Sequence, residues 1–330
     1  MKDIPFGDVI RYWGLEFGKS RPDLPLAGSP ERSLFRRAIE DVEGRRFVLE
    51  EIQPALRDRK REIAVALEFL ATRGISVVIP CLRNRFNDFI TEAAGGLWQI
   101  SHLVEGAELK RPDYTRDAWR GRALARFLIQ MRGISAGTPS GDPSRPFSIA
   151  GFIRDFIRRM TRHNPEQARA VEPAFVFLEG RFFALSEQIP VAFCHGDFHP
   201  LNVIWGDDCL RAVIDWEFSG YKPEIYDAAL LLGCIGVEDP ESLAGPMALA
   251  FVEEIRTAGC FDASGFALLP EFVLGLRFAW LSDWLRRKDA QMVELETVLS
   301  GFFSKTWGIC VGLGRKGEHF LKESLTLRRY

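Results

Sequence analysis

Residues 191–215 read VAFCHGDFHPLNVIWGDDCLRAVID. Apolar runs and polar breaks alternate there in the order strand, polar loop, strand, tight turn, strand. Inside the loop, Asp197 is followed by four residues and then Asn202, and Asp215 closes the next apolar run. Gly206-Asp207-Asp208 is a turn signal, so the hairpin from Asn202 to Asp215 folds both of its ends to one side. A carboxylate and an amide oxygen are then available at those ends, the hard-oxygen donors that magnesium prefers. A zinc site on His195 and His199 would need a helix to bring the two rings onto one face. Gly196 and Pro200 break such a helix.

Aspartate, four residues, asparagine, then a strand-ending aspartate is the spacing of the protein-kinase catalytic loop. His195-Gly196-Asp197 stands where those enzymes carry His-Arg-Asp, and Ile214-Asp215-Trp216-Glu217 where they carry Asp-Phe-Gly. In both substitutions the chain resembles the aminoglycoside phosphotransferase and choline kinase superfamily, small-molecule kinases with the protein-kinase fold. The resemblance runs from about residue 28 to 290, with its specific motifs in 195–227. It implies an α+β, two-lobed fold. A small antiparallel-β lobe with one helix is expected over residues 1–104, and a large, mainly helical lobe with the catalytic loop and acceptor site over 105–330. The implied reaction is Mg2+-dependent transfer of the γ-phosphoryl of ATP to a hydroxyl of a small metabolite or aminoglycoside-like acceptor, with GTP as a second candidate donor. Asp197 is then the base or orienting group, Asn202 and Asp215 hold the metal, and Asp227 braces the loop backbone. His195 pins the loop by hydrogen bonds, while His199 either lines the cleft or supports the loop. Glu217 is either a further metal or water ligand or a salt-bridge partner, since magnesium keeps few protein ligands.

Upstream, residues 33–40 and 45–51 read as strands around Asp41-Val42-Glu43-Gly44, a hairpin turn. A helix is predicted over 55–72, with Ile63, Leu67 and Leu70 on its apolar stripe and Gly74 as its stop. Short strands are predicted over 82–86, 89–91 and 97–104. The resemblance assigns Gly28, Ser29 and Ser33 to a phosphate-covering turn, for which an ordinary turn is the alternative. It assigns residues 100–104, with Ser101 and Leu103, to the hinge that binds adenine, and Glu62 to the helix glutamate that pairs with a strand lysine. That lysine is absent: the strand carries Glu50, and the next lysine, Lys60, is already on the helix. Alternation places Arg46 on the face of Glu50, which makes it a candidate substitute. A carboxylate beside a triphosphate is unfavourable without an intervening cation. Hence the rival reading, a nucleotide-binding pseudokinase or scaffold without phosphotransfer, against which the retention of Asp197, Asn202 and Asp215 speaks.

Downstream of residue 105 the pattern is helical, over 115–131 with Thr115 as N-cap, then 148–162 and 165–187. Further helices are predicted over 240–257, 267–287, 290–304 and 317–324. Residues 133–147, dense in Gly, Pro and Ser, form either a surface excursion or a substrate-covering loop. Little chain separates Asp215 from the helix that begins at Tyr226, so no long activation segment intervenes and small acceptors are favoured over proteins. Trp280, Asp283 and Trp284 share one helix face, either as an acceptor site for a cationic or sugar-like molecule or as a core stripe. The 330 residues suit two domains or one large one, and 47% are apolar, with 26 Phe and 8 Trp, ample for substantial cores. A net charge of −2 gives no footprint for nucleic acid or an anionic membrane. Six cysteines without C-x-x-C spacing read as free thiols in a reducing compartment. No signal-like stretch opens the sequence and no apolar run is long enough to span a bilayer. The expectation is a cytoplasmic monomer or homodimer whose partners are a nucleotide and a small molecule.

Overall fold

The computed structural model describes residues 4–26 and 33–300. Gly28 and Ser29, and the helix predicted over 317–324, lie outside the described residues. The chain divides into two compact units, Met1–Leu109 with Ile134–Gly141 and Pro200–Ser219, and Lys110–Gly133 with Asp142–His199 and Gly220–Tyr330. The hairpin after Pro200 clusters with the N-terminal sheet.

The first unit opens with a short helix, α1 (Phe6–Ile10), and the strands β1 (Phe17–Ser20), β2 (Ser33–Asp41) and β3 (Arg46–Ile52). Helix α2 (Arg57–Thr72) follows, then β4 (Thr91–Ala93) and β5 (Gly96–His102). The five strands form one antiparallel sheet in the order β1-β2-β3-β5-β4. Period-two alternation sorts their side chains onto two faces. Phe47 and Leu49 of β3, Trp98 and Ile100 of β5 and Ile39 of β2 pack with Val9 and Ile10 of α1 in one buried cluster. Full burial of each aliphatic or Phe side chain there contributes roughly 1.5–3 kcal/mol. The other face carries Val48, Glu50, Gln99 and Ser101, and the register sets Glu50 opposite Gln99 and Val48 opposite Ser101. The β2–β3 turn forms as read: the Asp41 carboxylate accepts from the amides of Glu43 (3.1 Å) and Arg45 (2.8 Å), and Gly44 takes φ +81°.

One expectation is corrected here and one strand is added. Residues 82–90 are not strands but a loop organised on buried Asn84, whose side-chain oxygen accepts from Phe86 and Asp88 and whose amide donates to Thr91 Oγ1 at 2.7 Å. Strand β1 escapes sequence reading because Phe-Gly-Lys-Ser has no apolar alternation; it joins the sheet through its backbone. Gly18 is needed there, since a Cβ would sit 2.7 Å from the Asp41 carbonyl oxygen.

Beyond residue 110 come α3 (Ala118–Ile134), α4 (Ile149–His163), α5 (Pro165–Gly180), α6 (Phe182–Ser186) and β6 (Val191–Cys194). Thr115 is not a cap: it lies in a short 3-10 turn before α3, and its hydroxyl donates to the Pro112 carbonyl at 2.9 Å. Ser148 does cap α4, accepting from the Gly151 amide. The hairpin β7 (Val203–Trp205) and β8 (Leu210–Val213) belongs to the first unit. The second unit resumes with β9 (Gly220–Pro223), α7 (Tyr226–Glu238), α8 (Pro246–Ala258), α9 (Ala263–Ala267) and α10 (Leu269–Arg287), and the chain is helical again over 290–300. Gly233 on α7 lets α10 approach closely, because a Cβ there would lie 2.7 Å from the Trp280 ring. None of the described helices is long and apolar enough to cross a membrane.

Candidate active site

In the second unit, β6 delivers the polar loop. The amides of His195 and Gly196 donate to the two oxygens of the Asp227 carboxylate at 2.7 and 2.8 Å. His195 is fully buried, and its Nδ1 accepts from the Asp197 amide at 3.2 Å, which marks Nδ1 as the unprotonated nitrogen. Phe198 is buried against Phe127, with ring centroids 5.1 Å apart. These anchors leave Asp197 partly exposed, with its Oδ1 3.7 Å from His199 Nε2. Every main-chain amide from His195 to Asp197 is therefore spoken for, and the side chains of Asp197 and His199 are both partly exposed.

Burial pushes the Asp227 carboxyl up to about 6, against the lowering effect of the Gly196 and His195 amides. Its pKa in the folded state thus exceeds the unfolded value. The stability this group contributes is complete below its ordinary range and is lost as pH rises through about 6. Asp227→Ala removes the acceptor for two buried amides, and we expect a loss of about 2–4 kcal/mol at pH 7. Urea midpoints of the two proteins at pH 5 and 7 check both statements. The gap between them should be wider at pH 5, and an equal midpoint at both would refute the bracing role.

In the first unit, β7 and β8 pair with Val203 opposite Val213, and the Ile214 amide donates to the Asn202 carbonyl at 3.0 Å. The Val213 amide is held by the Val77 carbonyl at 2.9 Å. Asn202 and Asp215 thereby stand at the same end of the hairpin. Asp215 adopts φ +65°, a left-handed backbone that is uncommon outside glycine and concentrates at functional sites.

Asp215 lines an open cleft on the sheet face that carries Val48, Glu50, Gln99 and Ser101. Helix α2 contributes Lys60, Ile63 and Leu67, one helical face at i, i+3 and i+7. The Lys60 ammonium is 3.0 Å from Glu50 Oε1 and 2.5 Å from Glu217 Oε1. Glu50 also accepts from Gln99 Nε2 at 2.7 Å and from the Ser33 hydroxyl. Burial pushes the Glu50 carboxyl up, but the Lys60 charge and the Ser33 and Gln99 hydrogen bonds outweigh it and hold it below its usual range. Burial likewise lowers Lys60, and the carboxylates of Glu50 and Glu217 outweigh that and raise it. The pair is ionised at neutral pH. Next to it, Arg59 donates to the carbonyls of Glu217 (2.9 Å) and Ser219 (2.6 Å), fastening the first turn of α2 to the segment after Asp215.

The structure brings Ser33, Ser101, Leu103, Asp215 and Glu217 onto this cleft. The Leu103 amide is occupied by the Arg46 carbonyl at 3.0 Å, so it cannot also donate to a base. Glu62 faces another way: its side chain is 52% exposed and its ion pair is with Arg59. Arg46 is taken by Glu40 and Glu105 and does not line the cleft. The cation that meets Glu50 is Lys60, which sequence reading had passed over as a helix residue. In the second unit, the Trp280 ring lies against Gly233 and under the Arg277 guanidinium. Asp283 is held by Arg286 at 2.6 Å and Arg287 at 2.7 Å.

A sequence model of the phosphotransferase enzyme family matches residues 31–260. Two relatives named homoserine kinase, from Bradyrhizobium sp. strains BTAi1 and ORS 278, are each 28% identical over 229 residues. The matches cover 68% of this chain in both cases, and 68% and 69% of the relatives. Among solved structures, amicoumacin kinase hAmiN in complex with AMP-PNP, Ca2+ and Ami aligns with a TM-score of 0.64 at 16% identity, over 88% of this chain and 89% of that one. An aminoglycoside phosphotransferase from Alicyclobacillus acidocaldarius aligns with a TM-score of 0.61 at 15% identity, over 98% and 96%. These likenesses show the α+β, protein-kinase-like fold that the family resemblance implied.

Proposed function

From the premise that the chain belongs to the phosphotransferase enzyme family and is a small-molecule kinase with a hydroxyl acceptor, we propose Mg2+-dependent transfer of the γ-phosphoryl of ATP to the side-chain hydroxyl of a small amino acid of the homoserine kind. The observation that carries the nucleotide half is the cleft in which a left-handed Asp215 stands with Lys60 and Glu217, whose ammonium and carboxylate are 2.5 Å apart. The acceptor half rests on the two relatives named homoserine kinase, whose 28% identity exceeds the 15–16% of the antibiotic-kinase structures.

The Asp215 carboxylate and the Asn202 amide oxygen, at one end of the hairpin, are the hard donors a magnesium ion requires. When bound, that ion supplies charge neutralisation of the phosphate oxygens. Asp197 orients the acceptor hydroxyl and takes its proton as the acceptor oxygen bonds to phosphorus and ADP departs. His195 and Asp227 act through the loop backbone, holding Asp197 in place. The Ser101–Val104 edge offers backbone groups to a base, with Leu103 restricted to its carbonyl. Binding without transfer is the second reading, motivated by Glu50. The Lys60 partnership weakens it, because Glu50 does not face the cleft as a bare charge.

The test is a panel of L-homoserine, L-serine, choline, ethanolamine and kanamycin with Mg-ATP, and separately with Mg-GTP, read as ADP or GDP release. L-homoserine is expected to give the highest kcat/KM. A clear preference for kanamycin or choline would remove the amino-acid assignment and leave the kinase.

A further inference from the structure

We propose that Lys60, on helix α2, is the cation that grips the nucleotide phosphates, so that the helix supplies the ammonium and the strand supplies the carboxylate that anchors it. The inference rests on the nucleotide-binding reading of the cleft and names the residue that makes it work. A triphosphate brings several negative charges to a cleft that already holds Glu50, Asp215 and Glu217. Its phosphates need a fixed positive partner there besides the metal. Two of the cleft's lining residues are permanent cations, Arg36 on β2 and Lys60 on α2.

Lys60 is placed for the task by its position on the helix and by two ion pairs. Its stem shares the cleft-facing stripe of Ile63 and Leu67. Its ammonium has three donors; Glu50 and Glu217 take two, and among the described residues no other group claims the third. Both carboxylates fix the ammonium from the protein side, Glu50 being itself locked by Ser33 and Gln99. Glu217 lies two residues after Asp215, so the same ammonium is tied to the segment that carries the proposed metal ligand. The arrangement inverts the strand-lysine, helix-glutamate order that the sequence resemblance led one to expect. It also explains how a glutamate at position 50 is compatible with an anionic ligand.

The experiment is a fluorescence titration of the full chain with a fluorescent ADP analogue in magnesium, alongside the KM for ATP. Lys60→Met is expected to weaken nucleotide binding about 10- to 100-fold, the factor that a hydrogen bond to a charged group is worth. The KM for the acceptor should stay put, Lys60→Arg should recover most of the affinity, and Arg46→Ala should match the parent. Lys60→Met leaves two carboxylates without their cation and could unfold, so Glu50→Gln/Lys60→Met is made as well. It carries no orphaned charge at position 50 and should show the same weakening. Affinity close to the parent's in whichever of these two variants folds would overturn the proposal while leaving the kinase reading intact. A parent protein that binds neither Mg-ADP nor Mg-GDP would instead remove the nucleotide reading itself, and the role of Lys60 with it.

Discussion

Asp197→Asn lowers turnover by about 10²- to 10⁴-fold, the usual worth of a positioned general base, and leaves nucleotide affinity nearly unchanged. The substitution keeps the size and shape of the side chain and removes only its ability to take a proton. The main-chain anchors of the loop do not use that carboxylate. The Asp197 amide goes to His195 Nδ1, and the loop's other amides go to Asp227. One contact that the change touches is His199 Nε2 at 3.7 Å, a long and partly exposed one worth little to stability. The variant should therefore fold like the parent. Turnover by ADP release and affinity by nucleotide titration are the two measurements. Equal turnover would take Asp197 out of the chemistry, and a parallel loss of affinity would make it a binding residue.

Asp215→Asn is the second large effect, expected to cut turnover about 10²- to 10³-fold, as loss of one preorganised electrostatic group does. Asparagine tolerates the φ of +65° at this position, so the hairpin should keep its geometry. What changes is the charge available to a divalent ion. The concentration of magnesium giving half-maximal rate should rise, while the thermal midpoint without metal stays that of the parent. A magnesium titration indistinguishable from the parent's would show that Asp215 serves only the backbone turn.

The readable parts of this protein were those specified within a few residues of one another. The catalytic loop and the hairpin after it are set by local turn chemistry at Gly196, Pro200 and Gly206-Asp207-Asp208. Strands β2 and β3 show because two β-like runs flank the turn signal Asp41-Val42-Glu43-Gly44, and α2 because Ile63, Leu67 and Leu70 repeat at helical spacing. Strand β1 was invisible since, in Phe-Gly-Lys-Ser, Phe17 is the one apolar side chain it adds to the core, too little for a periodic signal. The loop over 82–90 looked strand-like because its apolar residues, Phe89 and Ile90, are buried without regular pairing. Lys60 was missed for another reason: its partners, Glu50 and Glu217, are brought to it by tertiary folding. A signal existed nonetheless. Extending the α2 stripe back by three residues from Ile63 lands on Lys60, a charged residue on an otherwise apolar face, and such a residue needs a buried partner. The same helical spacing puts Glu62 off the stripe, where the structure finds it paired with Arg59.

The most direct test of phosphoryl transfer to a hydroxyl is phosphorus NMR of Mg-ATP turning over with an L-homoserine-containing acceptor pool, with Asp197→Asn as the parallel sample. A new phosphate-monoester resonance growing in step with ADP, and absent from the variant, is the predicted result. Bound nucleotide that yields no monoester with any acceptor in the pool, or yields only inorganic phosphate, would contradict the assignment of this cleft and loop to transfer.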